Sequence, residues 1–337
     1  MKHMHTLKSA ALAAFTVAGG AMTAQAQITI PTVMVGNPNN AADSSGYGAV
    51  GYSYAIGTYE VTTNQYTAFL NAVATTTDTY SLYHSNMGSS QFGGITRSGS
   101  SGSYSYAVKS GFENKPVNYV SFWDAARFAN WLNNGQSIGS TETGSYTLGS
   151  VPNPDDSTVV RNSGANWVVA SENEWYKAAY YDPNKGGAGV GGYWLHATQS
   201  DTLGQNNPFT ATNGANYYDG DYAVYSGSSD GALPVGTYAN ADSFYGTFDQ
   251  GGNLLEWNDT QVSSTSRGLR GGSWFFDENF LLSSFRDQSG AAFEDFDIGF
   301  RVASLAPIPE PSTYGATMGV MALAVVMMRR RKARGSL

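Results

Sequence analysis

The sequence contains no cysteine among its 337 residues. This absence excludes disulfide bonds, thiolate metal ligands and a catalytic thiol. Charged residues are also scarce, at 13% of the chain, and only 4 histidines are present. The hydrophobic fraction of 41%, which includes 7 tryptophans and 16 phenylalanines, is large enough to fill a core. Global disorder is therefore excluded.

The acidic charge of the chain is concentrated in its middle. The formal net charge is −8, but two lysines lie in the first 26 residues and five basic residues follow Pro309. Residues 27–308 keep 11 basic and 25 acidic side chains, a net charge of −14. Such a body repels nucleic acid and anionic lipid, so we expect no nucleic-acid partner.

The first 26 residues are typical of a secretory signal peptide. Basic Lys2 and Lys8 precede an apolar stretch at 10–22, and Ala24-Gln25-Ala26 supplies the small residues that a signal peptidase needs. The alternative, a buried helix, would bury little area, and the stretch is shorter than the roughly 20 residues needed to span a bilayer. The pattern predicts export of residues 27–308.

The last 29 residues have three parts. Pro309-Glu310-Pro311 is followed by an uncharged apolar stretch, which predicts a transmembrane helix at about 312–328, and then by the basic cluster RRRKAR. This end resembles the PEP-CTERM sorting signal of Gram-negative bacteria. The resemblance implies an exosortase as partner, cleavage near residues 309–311, transient anchoring in the inner membrane and a final location at the cell surface or in the extracellular matrix. The alternative is a plain single-span anchor, which also places residues 27–308 outside the cytoplasm.

Three helices are predicted from their N-terminal capping signals in the body, residues 27–308. Thr62 with Gln65 and Ser171 with Glu174 fit capping boxes, and Ser121 precedes a third apolar-periodic segment with Asp124 in its first turn. Strand-like runs lie at 167–170 and 299–303. Few helices among many short strands and loops predict an α+β fold with little regular secondary structure.

Five segments of the body occur in an order that resembles the sulfatase-modifying-factor family, which includes formylglycine-generating enzyme. The segments are YEVT at 59–62 leading to QYTAFLN at 65–71, PVNYVS at 116–121, ASENEW at 170–175, GGNLLEW at 251–257, and LRGGSW at 269–274 followed by DIGFR at 297–301. The resemblance covers roughly residues 50–304. It implies the family's variant of the C-type lectin fold, with few helices and small twisted sheets.

Most of these motif residues are expected to serve the fold. Gly271 and Gly272 are expected to adopt backbone angles or close approaches that a Cβ would block. Arg270 and Arg301 are expected to be partly buried and paired with carboxylates such as Asp295, Asp297 or Glu174. Three tryptophans are expected to anchor loops to the core, and these are Trp175, Trp257 and Trp274.

The family's oxidase chemistry is not expected to carry over. In the formylglycine-generating enzymes, two cysteines a few residues beyond the glycine-glycine-serine element bind copper and activate oxygen. The resemblance places Phe276 and Leu281 at those positions, and neither can bind Cu(I). The family's His-rich iron site has no counterpart either, since the body contains only His84 and His196. We therefore expect no copper and no catalytic residue of the known types.

The resemblance also implies a calcium site in the loop at 249–256. Asp249 and Glu256 would supply carboxylates, while Gly252 and Leu254 would supply backbone carbonyls, because calcium takes six to eight oxygen ligands. The alternative is a glycine turn that presents Trp257, with Glu256 paired to an arginine. Both interpretations fit the sequence.

Two functions remain open from the sequence. The first is a non-enzymatic binding or structural module at the cell surface, whose ligand is a glycan, a peptide or an envelope protein; the Tyr- and Asp-rich segment at 216–225 offers the chemistry for it. The second is an enzyme of the family with altered, cysteine-independent chemistry that uses Asp277, Glu278 and Asp295. The missing cysteines favour the first.

Overall fold

The computed structural model describes residues 27–222 and 231–305. The predicted signal peptide at 1–26 and the predicted sorting segment at 309–337 lie outside the described residues. Within these two described ranges, no helix is both long enough and apolar enough to cross a membrane. The predicted transmembrane helix at about 312–328 belongs to the part of the chain that is not described.

The three helices predicted from their caps are present. The described part of the chain contains helices α1 (Thr63–Val73), α2 (Asn86–Ser89), α3 (Phe122–Asn133) and α4 (Glu172–Tyr180). The side chains of Thr62, Ser121 and Ser171 each accept a hydrogen bond from the backbone N–H of the third helical residue. The side chain of that third residue in turn accepts a hydrogen bond from the backbone N–H of the cap. These reciprocal bonds satisfy donors that a helix N-terminus otherwise leaves free, which fixes where α1, α3 and α4 begin.

Within residues 27–222 and 231–305, short strands form two four-stranded sheets and two hairpins. The strands are β1 (Thr32–Val35), β2 (Tyr54–Gly57), β3 (Ile95–Ser98), β4 (Ser105–Val108), β5 (Trp167–Val169), β6 (Tyr181–Asp182), β7 (Gly192–Tyr193), β8 (Leu255–Ser263), β9 (Ser266–Arg270), β10 (Asp287–Gly290), β11 (Ile298–Phe300) and β12 (Val302–Ser304). One sheet has the order β1-β2-β12-β5 and the other the order β10-β9-β8-β11, while β3 pairs with β4 and β6 with β7. The prediction of an α+β fold with few helices and small sheets is confirmed.

The strand predicted at 299–303 is wrong as a single element. The structure divides it at Arg301 into β11, which runs parallel to β8, and β12, which pairs antiparallel with β2 and β5. The two halves therefore belong to different sheets. Arg301 lies between the two strands. Its fully buried guanidinium binds a carboxylate of β8. The strand predicted at 167–170 is confirmed as β5.

The core around α1 and α3 is built largely from aromatic rings. Phe69 of α1 packs edge-on against Phe128 of α3 with ring centroids 5.4 Å apart, and Phe300 of β11 contacts the same Phe128 at 5.4 Å. Tyr66 is fully buried and donates to the carbonyl of Leu82. Large rings supply much buried area per residue, which compensates for the shortness of the strands.

Candidate functional site

The Gly271-Gly272-Ser273 element follows directly on strand β9 and turns the chain across the end of the second sheet. Both glycines have positive φ, at 101° and 69°. A Cβ at Gly272 would lie 2.7 Å from Leu281 Cδ1 and 2.8 Å from the carbonyl oxygen of Phe280. The expectation that glycine is required here is confirmed, because a side chain would be strained by φ and by contact.

Ser273 is fully buried behind this turn and donates to Asp297. The distance from Ser273 Oγ to Asp297 Oδ2 is 2.7 Å. Burial raises the pKa of Asp297 to about 6, and the bond from Ser273 acts in the opposite direction. The serine hydroxyl is thus bonded to the side chain of Asp297. The backbone carbonyl of Asp297 accepts a hydrogen bond from Leu255 N. The pair ties the turn to the start of β8.

Apolar side chains fill the two positions where the resemblance expects copper-binding cysteines. Leu281 is 1% exposed at the end of the 3-10 helix Glu278–Leu281, and it packs with Ala215 and Tyr217. Phe276 is half-buried and stacks on Phe280 with ring centroids 4.6 Å apart. Neither side chain offers a thiolate or thioether, the ligands that Cu(I) prefers.

Beside this apolar pair lie two pairs of aromatic rings that meet over Trp274. We call Tyr218, Tyr222, Phe275 and Phe296 the aromatic face. Trp274, which is 3% exposed, supports it from below at centroid distances of 5.4 Å to Tyr222, 5.7 Å to Phe275 and 5.6 Å to Phe296. Phe275 is 47% exposed and Tyr218 is 39% exposed, so the upper side of the face meets solvent.

The aromatic face is flanked by two exposed carboxylates, Asp219 and Asp221. Rings beside carboxylates are a common arrangement for binding sugars, since the rings stack on apolar sugar faces and the carboxylates accept hydroxyl protons. Two residues of the face, Tyr218 and Tyr222, come from the segment predicted at 216–225, whereas Asn216 and Tyr217 of that segment are buried. Residues 223–225 of that segment lie outside the described residues.

Glu256 of β8 is paired with an arginine. It is fully buried, accepts from Arg301 Nε and NH2 at 2.7 and 2.6 Å, and accepts from Trp175 Nε1 at 2.7 Å. Both carboxylate oxygens are thereby engaged. Asp249 Oδ2 accepts from the backbone N–H of Gly236 at 2.6 Å.

These contacts bear on the calcium prediction for Asp249, Gly252, Leu254 and Glu256. A calcium ion at this loop would have to share Glu256 with Arg301 or displace it, because the ion takes carboxylate oxygens directly. Across residues 27–222 and 231–305, no group of three or more histidine, aspartate or glutamate side chains is placed to hold a metal ion. Calcium binding here stays a prediction.

The expected partners of Arg270 and Arg301 are wrong, although both arginines are buried as ion pairs. Arg301 binds Glu256, and Arg270 Nε donates to Glu172 Oε1 at 2.9 Å. The carboxylates named from the sequence have other roles: Glu174 binds Arg161, Asp297 binds Ser273, and Asp295 accepts from the N–H of Phe296. Glu172 lies 98 residues from Arg270 in the chain, so local spacing contains no trace of the pair.

The three acidic residues of the alternative enzyme hypothesis have separate contacts in the structure. Asp277 caps the 3-10 helix by accepting from Asn279 N, Glu278 is exposed, and Asp295 belongs to a different loop. The two histidines of the body also have different surroundings. His84 stacks on Tyr119 at 5.5 Å, whereas His196 is buried.

Comparisons with known proteins agree with this architecture. The profile of a sulfatase-modifying factor enzyme 1-like domain matches residues 9–306. Among curated proteins, none matches the chain. Treponema denticola variable protein 1 is similar in structure at a TM-score of 0.51 and 19% identity, covering 83% of this chain and 97% of its own. The crystal structure of CarF is similar at a TM-score of 0.50 and 23% identity, with coverage of 83% and 99%. At these identities the two structures establish the fold alone.

Proposed function

We propose that this chain, which belongs to the sulfatase-modifying factor enzyme 1-like family, is a non-enzymatic binding or structural module of the cell surface. The observation that supports this best is the apolar filling by Phe276 and Leu281. A chain without cysteine cannot hold copper through thiolates at these positions or at any other. The family's copper-dependent oxidation of a substrate thiol therefore lacks its copper ligands in this chain.

The ligand that suits the aromatic face best is a glycan. Phe275 and Tyr218 are 47% and 39% exposed, and the neighbouring Asp219 and Asp221 provide hydrogen-bond acceptors. The body's net charge of −14 disfavours acidic polysaccharides and so favours neutral or amino sugars. Trp274 fixes the rings in place, which limits the entropy that binding would cost.

Two assays on the purified protein test this proposal. On a glycan array, we expect binding that the double variant Tyr218→Ala/Phe275→Ala weakens by about tenfold or more, since each stacking contact contributes on the order of 1 kcal/mol. Phe293→Ala is the matched control, because Phe293 is 46% exposed and lies outside the aromatic face. In parallel, oxygen consumption with a cysteine-containing peptide should stay at background. Turnover of the peptide would contradict a non-enzymatic role, and an array without binding would contradict the glycan as ligand.

Export and sorting complete the proposed function. The signal-like residues 1–26 and the tripartite end at 309–337 support secretion, transient membrane anchoring and handling by an exosortase. Cell fractionation tests this. We expect the protein expressed from the native sequence to be cleaved near residues 309–311 and found at the cell surface, and we expect replacement of Pro309, Glu310 and Pro311 by alanine to leave it in the inner membrane. If the native protein and the alanine variant were found in the same cell fractions, sorting through this end would be contradicted.

A calcium titration tests the predicted loop site separately. A bound ion stabilises the folded state alone, so occupancy would raise the melting temperature by several degrees at millimolar calcium. Asp249→Asn should remove that rise, because it takes away the carboxylate that Arg301 does not engage directly. An unchanged melting curve at millimolar calcium would mean that Glu256 pairs with Arg301 and that the loop binds no calcium.

A further inference from the structure

A cavity of about 500 Å³ opens between the segment 41–45 and the β6–β7 hairpin. This volume lies in the range of small-molecule sites, which measure roughly 300–1,000 Å³. Hydroxyl side chains make up much of its lining, and the residues that carry them are Ser44, Ser45, Tyr181, Tyr193, Ser283 and Ser284. Among the described residues that line the cavity, only Asp43 is charged. The cavity therefore combines a single carboxylate with groups that both donate and accept hydrogen bonds.

Asp43 is only partly buried and lines this cavity directly. Its Oδ1 accepts from Ser45 N at 2.7 Å and from Ser45 Oγ at 2.6 Å, whereas its Oδ2 accepts, among the described residues, from the Tyr176 hydroxyl alone. Burial raises the pKa of Asp43, but the hydrogen bonds from Ser45, Tyr176 and Tyr47 outweigh burial and hold the pKa below its usual value. The carboxylate is therefore ionised at neutral pH, and no ion pair among the described residues includes it.

Hydrogen bonds and ring contacts hold the walls of the cavity in place. The Tyr193 hydroxyl donates to the carbonyl of Ala41 at 2.8 Å and accepts from Asn40 Nδ2 at 2.7 Å, which joins the hairpin to the facing segment. The rings of Tyr181 and Tyr193 pair across the hairpin with centroids 5.1 Å apart. Gly191 is required beside them, because a Cβ at this position would overlap the Tyr181 hydroxyl. The site is thus formed before a ligand arrives, which limits the entropy cost of binding.

This lining disfavours anions, metal ions and purely apolar ligands. The described lining residues include no lysine or arginine, and the charge of Asp43 repels an anion. A calcium ion takes six to eight oxygen ligands, and the lining offers it a single carboxylate. A purely apolar ligand would leave the carboxylate and the hydroxyls without partners, which is costly. The class that suits the cavity is a ligand with several hydroxyls and a positive charge.

We propose that this cavity binds an amino sugar, with its protonated amine donating to Asp43 Oδ2 and its hydroxyls bonded to the lining serines. An ammonium that donates to an ionised carboxylate makes a charge-assisted hydrogen bond, which is stronger than the neutral bond of a hydroxyl. Ser44 and Ser284 are exposed, and neither hydroxyl is bonded to another described residue, so both can bond the ring hydroxyls of a sugar. None of the lining residues belongs to the aromatic face, so this site does not depend on the proposed function.

Isothermal titration of the purified protein with glucosamine at neutral pH tests the proposal. Glucose is the neutral probe, because it carries a hydroxyl where glucosamine carries the amine. We expect saturable glucosamine binding that persists in Tyr218→Ala/Phe275→Ala, and glucose binding weaker by about tenfold or more. The fully deacetylated disaccharide of glucosamine separates two sources of the ligand. Tighter binding than glucosamine would indicate the end of a polysaccharide, and weaker binding would indicate the free sugar.

Asp43→Asn should weaken glucosamine binding by about tenfold or more and leave glucose binding nearly unchanged. It should also fold, because the amide oxygen can still accept from Ser45. Asp155→Asn is the matched control. Asp155 is exposed, accepts from Ser157 N and Ser157 Oγ as Asp43 does from Ser45, and lies outside the cavity, so its replacement should have no effect on either sugar.

Ser44→Trp provides a second, independent variant, because it fills the cavity without altering Asp43. We expect it to abolish glucosamine binding while circular dichroism and the melting temperature stay close to those of the native protein, since Ser44 is exposed. Equal binding of glucose and glucosamine, unchanged glucosamine binding in Asp43→Asn, or the absence of saturable binding to the native protein would each overturn the proposal.

Discussion

Replacing Arg301 with methionine should destabilise the protein more than any surface charge change. Arg301 and Glu256 are both 0% exposed, and three contacts of 2.6–3.1 Å hold the guanidinium to Glu256 and to the carbonyl of Gly57. Methionine has a similar length but no charge and no donor. The substitution would leave Glu256 as a buried carboxylate whose remaining partner is Trp175.

The magnitude follows from which partner remains. Breaking a buried ion pair by removing one member costs roughly 3–5 kcal/mol, because an uncompensated charge stays in the interior. The carbonyls of Gly57 and Phe248 also lose their donor, which adds to the cost. Total stability is about 5–15 kcal/mol for a typical domain, so about a fifth or more of it would be lost. The expected fall in melting temperature is on the order of 10 °C.

Urea unfolding followed by tryptophan fluorescence measures the effect, since Trp175 and Trp257 are fully buried. Arg97→Met is the matched control. Arg97 is 33% exposed and its contact with Asp78 is 3.5 Å long, so its loss should cost about 1 kcal/mol or less. Replacing Glu256 and Arg301 together by methionine should restore part of the stability. A cost for Arg301→Met no greater than that for Arg97→Met would refute the reasoning.

Three further predictions concern stability. Burial and the neighbouring Asp124 raise the pKa of Glu294 to about 9; its stabilising contribution is complete below about pH 4.3 and is lost as the pH rises towards 9. Glu294→Gln should therefore reduce the fall in melting temperature between pH 5 and 9, and an identical fall would contradict this. Leu281→Ala should cost about 2–5 kcal/mol in urea unfolding, because the side chain is 1% exposed. Gly272→Ala should destabilise by at least about 1 kcal/mol, because its Cβ would meet Phe280 and Leu281; unchanged unfolding midpoints would contradict both.

The helices could be predicted from the sequence because their signals are local. A cap and the third helical residue lie within one turn of each other, so the spacing Thr62–Gln65 already contains the geometry that the structure has. The same holds for Ser121 with Asp124 and for α4. The absence of cysteine was equally informative, because a chain without cysteine cannot form a thiolate copper site wherever its residues lie in the fold.

The sheets and ion pairs could not be predicted because their partners are distant in the chain. Strand β12 lies between β2 and β5, and Ala303 pairs with Ile56 on one side and with Val168 on the other. The strands have three to five residues apart from β8 and the two-residue hairpin strands, too few for an alternating pattern to be recognised. Arg301 faces Glu256 only because β11 runs parallel to β8 next to it.

The surroundings of Glu60, a buried carboxyl group with one oxygen unpaired among the described residues, were missed for a related reason. Glu60 lies in the YEVT segment that contributed to the resemblance, but nothing in that segment shows that its second oxygen would have no donor. That property arises from Asn253, which is 193 residues away and bonds only one oxygen. A buried acid between apolar neighbours, here Tyr59 and Val61, is the single sequence signal that could have drawn attention to it.

The motif residues that carry the family resemblance mainly build the fold. Glu256 neutralises Arg301, Trp175 donates to Glu256, and Gly272 leaves room for Leu281. Each of these contacts is buried and complete within the protein, so none requires a substrate. The proposed binding function would therefore use side chains whose ring surfaces are left open, as at the aromatic face. This is why the scaffold can persist in a chain that lacks the cysteines for the oxidase reaction.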